Sequence, residues 1–206
     1  MVLRYATICS NAGFMGNPVV EGIYGSQGLL YASVYLIPLR IFMWSAGLSC
    51  FTVASPKDIV KKLIHHPCII AVVIGMVLMP FPGIVPGFLL QTMQSCSRCV
   101  LPVSMVVIGS ILAEADIRKM LKGSTLFYCV VRLLGIPAVT MIMCRLLGIG
   151  TLVTGVCTIL AGMPAGSTTA ILAEKYDGDA KYASECVFLS TVLSLFTMPL
   201  LYMVLS

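Results

Sequence analysis

Residues 10–18 read Ser-Asn-Ala-Gly-Phe-Met-Gly-Asn-Pro, and residues 161–169 read Ala-Gly-Met-Pro-Ala-Gly-Ser-Thr-Thr. Each string sets glycine, proline and short polar residues inside a long apolar run. Proline removes a backbone donor and clashes with the preceding helical turn, so each string predicts an interrupted helix. In hydrocarbon, non-helical backbone survives only where protein or a wet cavity covers it. Asn11, Asn17, Ser167 and Thr168 stand beside the breaks as partners for the freed amides and carbonyls. Paired interrupted spans in matching halves are the best sequence pointer to a transporter binding site.

The surroundings read as membrane spans. Of 206 residues, 59% are apolar and only 10% charged, whereas soluble domains carry roughly 25% charge. The mean hydropathy is +1.02. These values exclude a secreted disulfide scaffold, a disordered chain and an ordinary cytosolic enzyme. A span needs about 20 apolar residues, and seven stretches qualify, near 3–22, 29–51, 67–81, 87–112, 124–147, 150–173 and 182–205. The fourth is polar in its first half (Gln91, Gln94, Ser95, Ser97, Arg98), so it is expected to bend or break near Pro102 and to lie inside the bundle. The expected fold class is all-α transmembrane, with the lipid bilayer as first partner and the cell membrane as location.

Orientation follows from the cations in the connections. Lys57, Lys61 and Lys62 lie in 52–66, Arg118, Lys119 and Lys122 in 113–123, and Lys175 and Lys181 in 174–181. The alternate connections hold one cation, Arg145, at the edge of 146–149. The three charged loops are therefore expected on the cytoplasmic side, with the chain starting inside and ending outside. By that count the first break is crossed outward and the sixth span's break inward, which implies an inverted repeat. A short repeated word supports it: Tyr31-Ala32-Ser33 follows the first break and Tyr182-Ala183-Ser184 the second.

Other chemistry is sparse. The net charge of +5 is spread over short loops without a basic face, so no nucleic-acid partner is expected. Nine cysteines lie mostly inside apolar runs and read as small embedded side chains. The pair Cys96 and Cys99 lacks a second pair or a histidine at ligand spacing, and no metal or cofactor is expected. The first residues lack the charged head, long apolar centre and cleavage site of a secretory signal. His65-His66 is a loop pair, and Asp58, Asp116, Asp177 and Asp179 are all in loops, so no enzyme is expected. Charge inside a membrane is a functional hypothesis by default. Arg40, beside Pro38 and nearest mid-span, is the candidate to offset an anionic substrate or a carboxylate, against a plainer reading of interhelical pairing or snorkelling. Glu21 and Glu185, each a turn from an interface, are the available proton-coupling groups but read as solvated, and Arg132 reads as snorkelling to the cytoplasmic end.

Asn11 to Pro18 and Gly162 to Gly166 resemble the matching strings of the auxin efflux carrier family of permeases. So do Ile171-Leu172-Ala173-Glu174-Lys175-Tyr176, Ser190 to Ser194, Met198-Pro199-Leu200, Pro102 to Leu112, and Arg132-Leu133-Leu134 with Pro137. Together they cover nearly the whole chain. The resemblance implies seven spans of a ten-helix secondary carrier, built from two inverted five-helix repeats whose broken fourth and ninth helices cross at the substrate. Residues 1–51 then correspond to the last two helices of the first repeat, 52–66 to a cytoplasmic linker and 67–206 to the second repeat. The family's first three helices have no counterpart, so a fragment, a truncated gene, a homodimer or a partner chain supplying the rest is expected. The implied substrate-binding set is Asn11, Gly13, Gly16, Asn17, Pro18, Gly162, Met163, Pro164, Ala165, Ser167 and Thr168, and the implied substrate a small organic anion. The alternative is a non-transporting membrane binding or sensor subunit that keeps the crossing helices.

Overall fold

A computed structural model describes residues 1–47, 49–51, 67–78, 80–81, 83–113 and 122–205. All named elements among them are helical. The expected 52–66 linker, with Lys57, Lys61 and Lys62, lies outside the described residues, as do Arg118 and Lys119.

Helix α1 spans Val2–Ile8 and ends at Cys9, whose backbone is extended. A π-helical turn, Ala12–Gly16, then leads into α2, Asn17–Phe42. Within α2, Gly25 takes φ +63°, a backbone that L side chains rarely adopt. A Cβ on Gly28 would lie 3.0 Å from the Val20 side chain, although eight residues of straight helix span about 12 Å. The chain therefore doubles back at Gly25, and α2 is two helices joined by a tight turn. A second π turn, Met43–Gly47, follows.

Next come α3, Pro67–Leu78, and α4, Gly87–Ala113. The sequence predicts an interior α4, bent or broken near Pro102; the helix is not broken and carries Pro102 inside it, and Gln91, Gln94, Ser95, Ser97 and Arg98 are exposed rather than interior. Part of the reason is local. The Thr92 and Ser95 hydroxyls donate to the carbonyls of Phe88 and Gln91, so these polar groups are satisfied by their own helix rather than by a neighbour.

Helix α5, Gly123–Val130, passes through the π turn Val131–Gly135 into α6, Ile136–Leu146. Two of the π turns share a pattern: each ends at a glycine two residues before a proline (Gly16 with Pro18, Gly135 with Pro137). Widening the helix there gives room to the carbonyl that a proline ring would otherwise strike. Helix α7, Thr151–Ala161, is followed by non-helical 162–167, then α8, Thr168–Lys175, and α9, Ala180–Leu205.

Two cores form, one on each side of the breaks. The first joins Val2, Tyr5 and Cys9 to Tyr128, Leu133, Ala165, Ala170, Ala173 and Ala183. The second joins Ala12, Val20 and Leu36 to Val156, Ile159, Leu160 and Met163. Each interrupted segment passes from one core to the other at its break, and the two do so in opposite order. Many of the packed residues are small, which lets helix backbones approach closely.

Candidate functional site

The two breaks are paired to one another. Ser10 and Ala165 form an isolated antiparallel bridge. The Asn11 N–H donates to the Pro164 carbonyl at 2.8 Å, and the Gly166 N–H donates to the Cys9 carbonyl at 3.0 Å. Backbone groups freed in one segment are thus satisfied by those freed in the other. Gly166 permits this approach, because a Cβ there would sit 3.1 Å from the Cys9 carbonyl oxygen. From α9, the Ser190 hydroxyl accepts the Ala165 N–H at 3.1 Å and donates to the Val187 carbonyl.

Beside this pairing lies a cavity of about 160 Å³, lined by Ser10, Asn11, Gly13, Phe14, Leu36, Leu39, Arg40, Met43, Gly166, Ser167 and Thr168. A cavity of about 150 Å³ holds a benzene-sized molecule, so there is room for roughly six non-hydrogen atoms. Asn11 is 2% exposed and Ser167 1%. Both atoms of the Asn11 amide group and the Ser167 hydroxyl lack a hydrogen-bond partner among the described residues, although buried polar groups are nearly always paired. The N-terminal ends of the Ala12–Gly16 turn and of α8 border the same space. The first N–H groups of a helix have no partner within it and carry partial positive charge. Arg40 lines this cavity and also a second recess between α2 and α3, with Ser33, Val34, Ile37, Ala71, Gly75 and Met76. Chemically, the cavity offers donors and positive charge.

Of the residues singled out in the sequence, the cavity brings together Asn11, Gly13, Ser167, Thr168 and Arg40. Pro164 and Ala165 contribute backbone to the pairing. Gly16 packs on Leu160 and Met163, and Gly162 faces Leu201 and Met198. Asn17 and Pro18 lie in the first turn of α2, so the first break falls at Cys9–Asn11 rather than at Asn17-Pro18. Pro18 is tolerated because the Ala12–Gly16 π turn that runs into α2 makes room for the carbonyl its ring would strike.

The charged residues divide. Glu21 is exposed. Glu185 is not the solvated group that its place near an interface suggested. It is 2% exposed, because α9 turns this face inward, and Lys122 Nζ stands 3.8 Å from its carboxylate. Arg132 does not snorkel either. It is 2% exposed and donates through Nη1 to the Thr7 carbonyl at 3.1 Å. Tyr5, whose hydroxyl donates to Thr168 at 3.4 Å, went unremarked in the sequence, as did Tyr128, whereas Ser190 stood there only as part of a family-like motif. An arginine flanked by Val130-Val131 and Leu133-Leu134 was the available signal for Arg132.

The distribution of polarity is that of a membrane protein. Arg132, Thr158, Ser167, Thr169, Glu185 and Ser190 are buried, whereas Phe127, Leu146, Leu195, Phe196 and Met203 are exposed. The helical stretches Gly123–Leu146 and Ala180–Leu205 are each long and apolar enough to cross a bilayer. Residues 51–202 match the family model described as membrane transport protein, and the chain belongs to that family, the one its motifs resemble. An uncharacterised transporter of Methanothermobacter thermautotrophicus is 30% identical over 205 residues, covering 98% of this chain and 67% of that protein. An uncharacterised transporter of Methanocaldococcus jannaschii is 24% identical, covering 96% of this chain and 66% of that protein. The chain thus spans about two thirds of the length of these relatives.

Proposed function

We propose that the chain is the crossing-helix portion of a multi-pass secondary carrier in the cell membrane, moving small organic anions. Its site is the cavity between the two breaks. The observation that carries this reading is the buried Asn11 amide and Ser167 hydroxyl, without hydrogen-bond partners among the described residues, on two residues that line a cavity together with Arg40 and two helix N-termini. Hydrogen bonds to a charged group are each worth about 1.5–3 kcal/mol. A carboxylate accepts from Arg40, the Asn11 amide nitrogen and the hydroxyls; the amide oxygen and the same hydroxyls can also accept, but an organic cation would be set against the Arg40 charge.

The antiparallel sense of the Ser10–Ala165 bridge agrees with the opposite crossing directions read from the cation count. It supports an inverted-repeat arrangement in which Asn17, Pro18, Gly16, Gly162 and Met163 hold the crossing from behind. Arg40 offsets substrate charge, and Glu185, already paired with Lys122, is a better candidate for charge coupling than exposed Glu21. The organic part of the substrate meets Phe14, Leu36, Leu39 and Met43.

The test is uptake into proteoliposomes holding the purified chain, using a panel of short carboxylates from acetate to butyrate with their amides. Saturable uptake of one or more carboxylates over the matched amides is expected. Binding without flux would favour the sensor reading, and neither binding nor flux for any member would sink the anion assignment.

A further inference from the structure

The end of α1 poses an accounting problem. The last carbonyls of a helix lack intrahelical donors, and hydrocarbon supplies no water. Here donors meet the carbonyls of Tyr5, Ala6, Thr7 and Cys9. The Cys9 N–H serves Tyr5 at 2.8 Å, and the Gly166 N–H serves Cys9 at 3.0 Å. The Ala6 carbonyl takes the Tyr128 hydroxyl at 2.9 Å, and the Thr7 carbonyl takes Arg132 Nη1 at 3.1 Å. Both side-chain donors come from one stretch, α5 and its following π turn, and four positions separate them, which places them on one face.

Arg132 is unusual in another respect. A guanidinium 2% exposed is costly in a membrane without a counter-charge. Glu185 is paired with Lys122, and no carboxylate pairs with Arg132 among the described residues. What faces Arg132 is the carbonyl end of α1. Such an end carries a partial negative charge that falls off within the last turn. Ser10 and Asn11, which line the cavity, follow Thr7 by three and four residues. Unopposed, that negative end would repel an anion held there.

We propose that Arg132 is a positioning residue for the cavity. With Tyr128 it grips the last carbonyls of α1, fixing where Ser10 and Asn11 sit, and it cancels the negative pole beside a bound anion. The grip stands on the hydrogen bonds alone, whereas the charge effect rests on the anion reading given above. Three substitutions separate the two. Arg132→Met removes donor and charge, Arg132→Gln keeps a donor and removes charge, and Arg132→Lys keeps both.

The experiment uses the full chain in lipid nanodiscs with two readouts. Hydrogen exchange is followed over residues 5–13, with 151–161 as internal reference. Butyrate and its neutral isostere butyramide are titrated as probes. Arg132→Met is expected to speed exchange at 5–13 at least tenfold while 151–161 stays within twofold, and Arg132→Lys to restore slow exchange. Arg132→Gln is expected to keep exchange slow yet weaken butyrate about tenfold, with butyramide within twofold. Unchanged exchange in Arg132→Met, or an equal rise in both segments, overturns the grip. Equal loss of both probes, or loss of neither, in Arg132→Gln overturns the charge effect. If the unmodified chain binds neither probe, the anion reading fails and the charge effect with it, while the exchange arm still decides the grip.

Discussion

The main-chain N–H of Asn11 donates to the carbonyl of Pro164 at 2.8 Å. Two chain breaks far apart in sequence therefore satisfy each other's backbone, and the side chain of the same asparagine, which lines the adjoining cavity, has no hydrogen-bond partner among the described residues. The main chain of this residue holds the crossing, and its side chain is the group proposed to meet the substrate. That division makes the crossing testable without knowing the natural substrate.

Gly166→Ala should damage the crossing itself. The new Cβ would lie 3.1 Å from the Cys9 carbonyl oxygen and 3.5 Å from that of Ser10, both backbone atoms that cannot rotate away. Overpacking of this kind costs about 1–3 kcal/mol. Thermal unfolding in detergent should show a clear loss for Gly166→Ala. Gly22→Ala, where nothing lies within 4 Å, should match the unmodified chain or exceed it slightly. Equal behaviour of the two variants would contradict the close approach.

Asn11→Ala and Asn17→Ala should separate. Asn11 lines the cavity, whereas Asn17 sits in the first turn of α2. Losing hydrogen bonds to a charged ligand, at about 1.5–3 kcal/mol each, should weaken butyrate at least tenfold in Asn11→Ala. Asn17→Ala should stay within about threefold, below the roughly tenfold that 1.4 kcal/mol represents. Titration of both variants with butyrate checks the order, and the reverse order would move the site toward Pro18.

Arg40→Gln should weaken butyrate more than butyramide, and Arg40→Lys should recover part of the loss. Because Arg40 is largely exposed, its effect should shrink as salt is raised from about 0.01 to 1 M, where the screening length falls from about 30 to 3 Å. An effect on both probes alike, or one indifferent to salt, would mean that Arg40 acts by packing rather than charge.

Orientation is open to labelling. Single cysteines at 57–62, 118–122 and 177–181 should react with an impermeant reagent only from the cytoplasmic side, and a tag after Ser206 only from outside. The basis is the cation bias of the connections. Labelling of Lys57→Cys and of the C-terminal tag from one face would overturn the odd number of spans.

Much of this was legible in the sequence because it depends on local chemistry. Gly13, Gly16 and Pro18 mark one interruption and Gly162, Pro164 and Gly166 the other, since both residue types act on the backbone wherever they stand. The exact position of the first break was not legible. Pro18 looks like a breaker, yet the π turn before it accommodates its ring, and the break falls at Cys9–Asn11 where Pro164 and Gly166 supply partners. Arg132 shows the same limit. Nothing near it in sequence distinguishes a snorkelling arginine from one aimed at the Thr7 carbonyl, because that carbonyl belongs to a distant segment. For α4 the error ran the other way. Its polar first half points to an interior span, but those residues are exposed, and Thr92 and Ser95 bond back to their own helix.

The most direct measurement fills the cavity. Gly13 lines it, and a Cβ there would meet Arg40 Nη2 at 3.7 Å and Leu36 Cδ1 at 4.0 Å, ordinary contact distances that leave the backbone undisturbed. Gly13→Leu therefore sends a side chain into the space where the anion is proposed to sit. With the unfolding transition of this variant within a few degrees of the unmodified chain, butyrate binding by ligand-observed NMR should be lost. Undiminished butyrate binding in a folded Gly13→Leu chain would contradict the assignment of the site to the crossing.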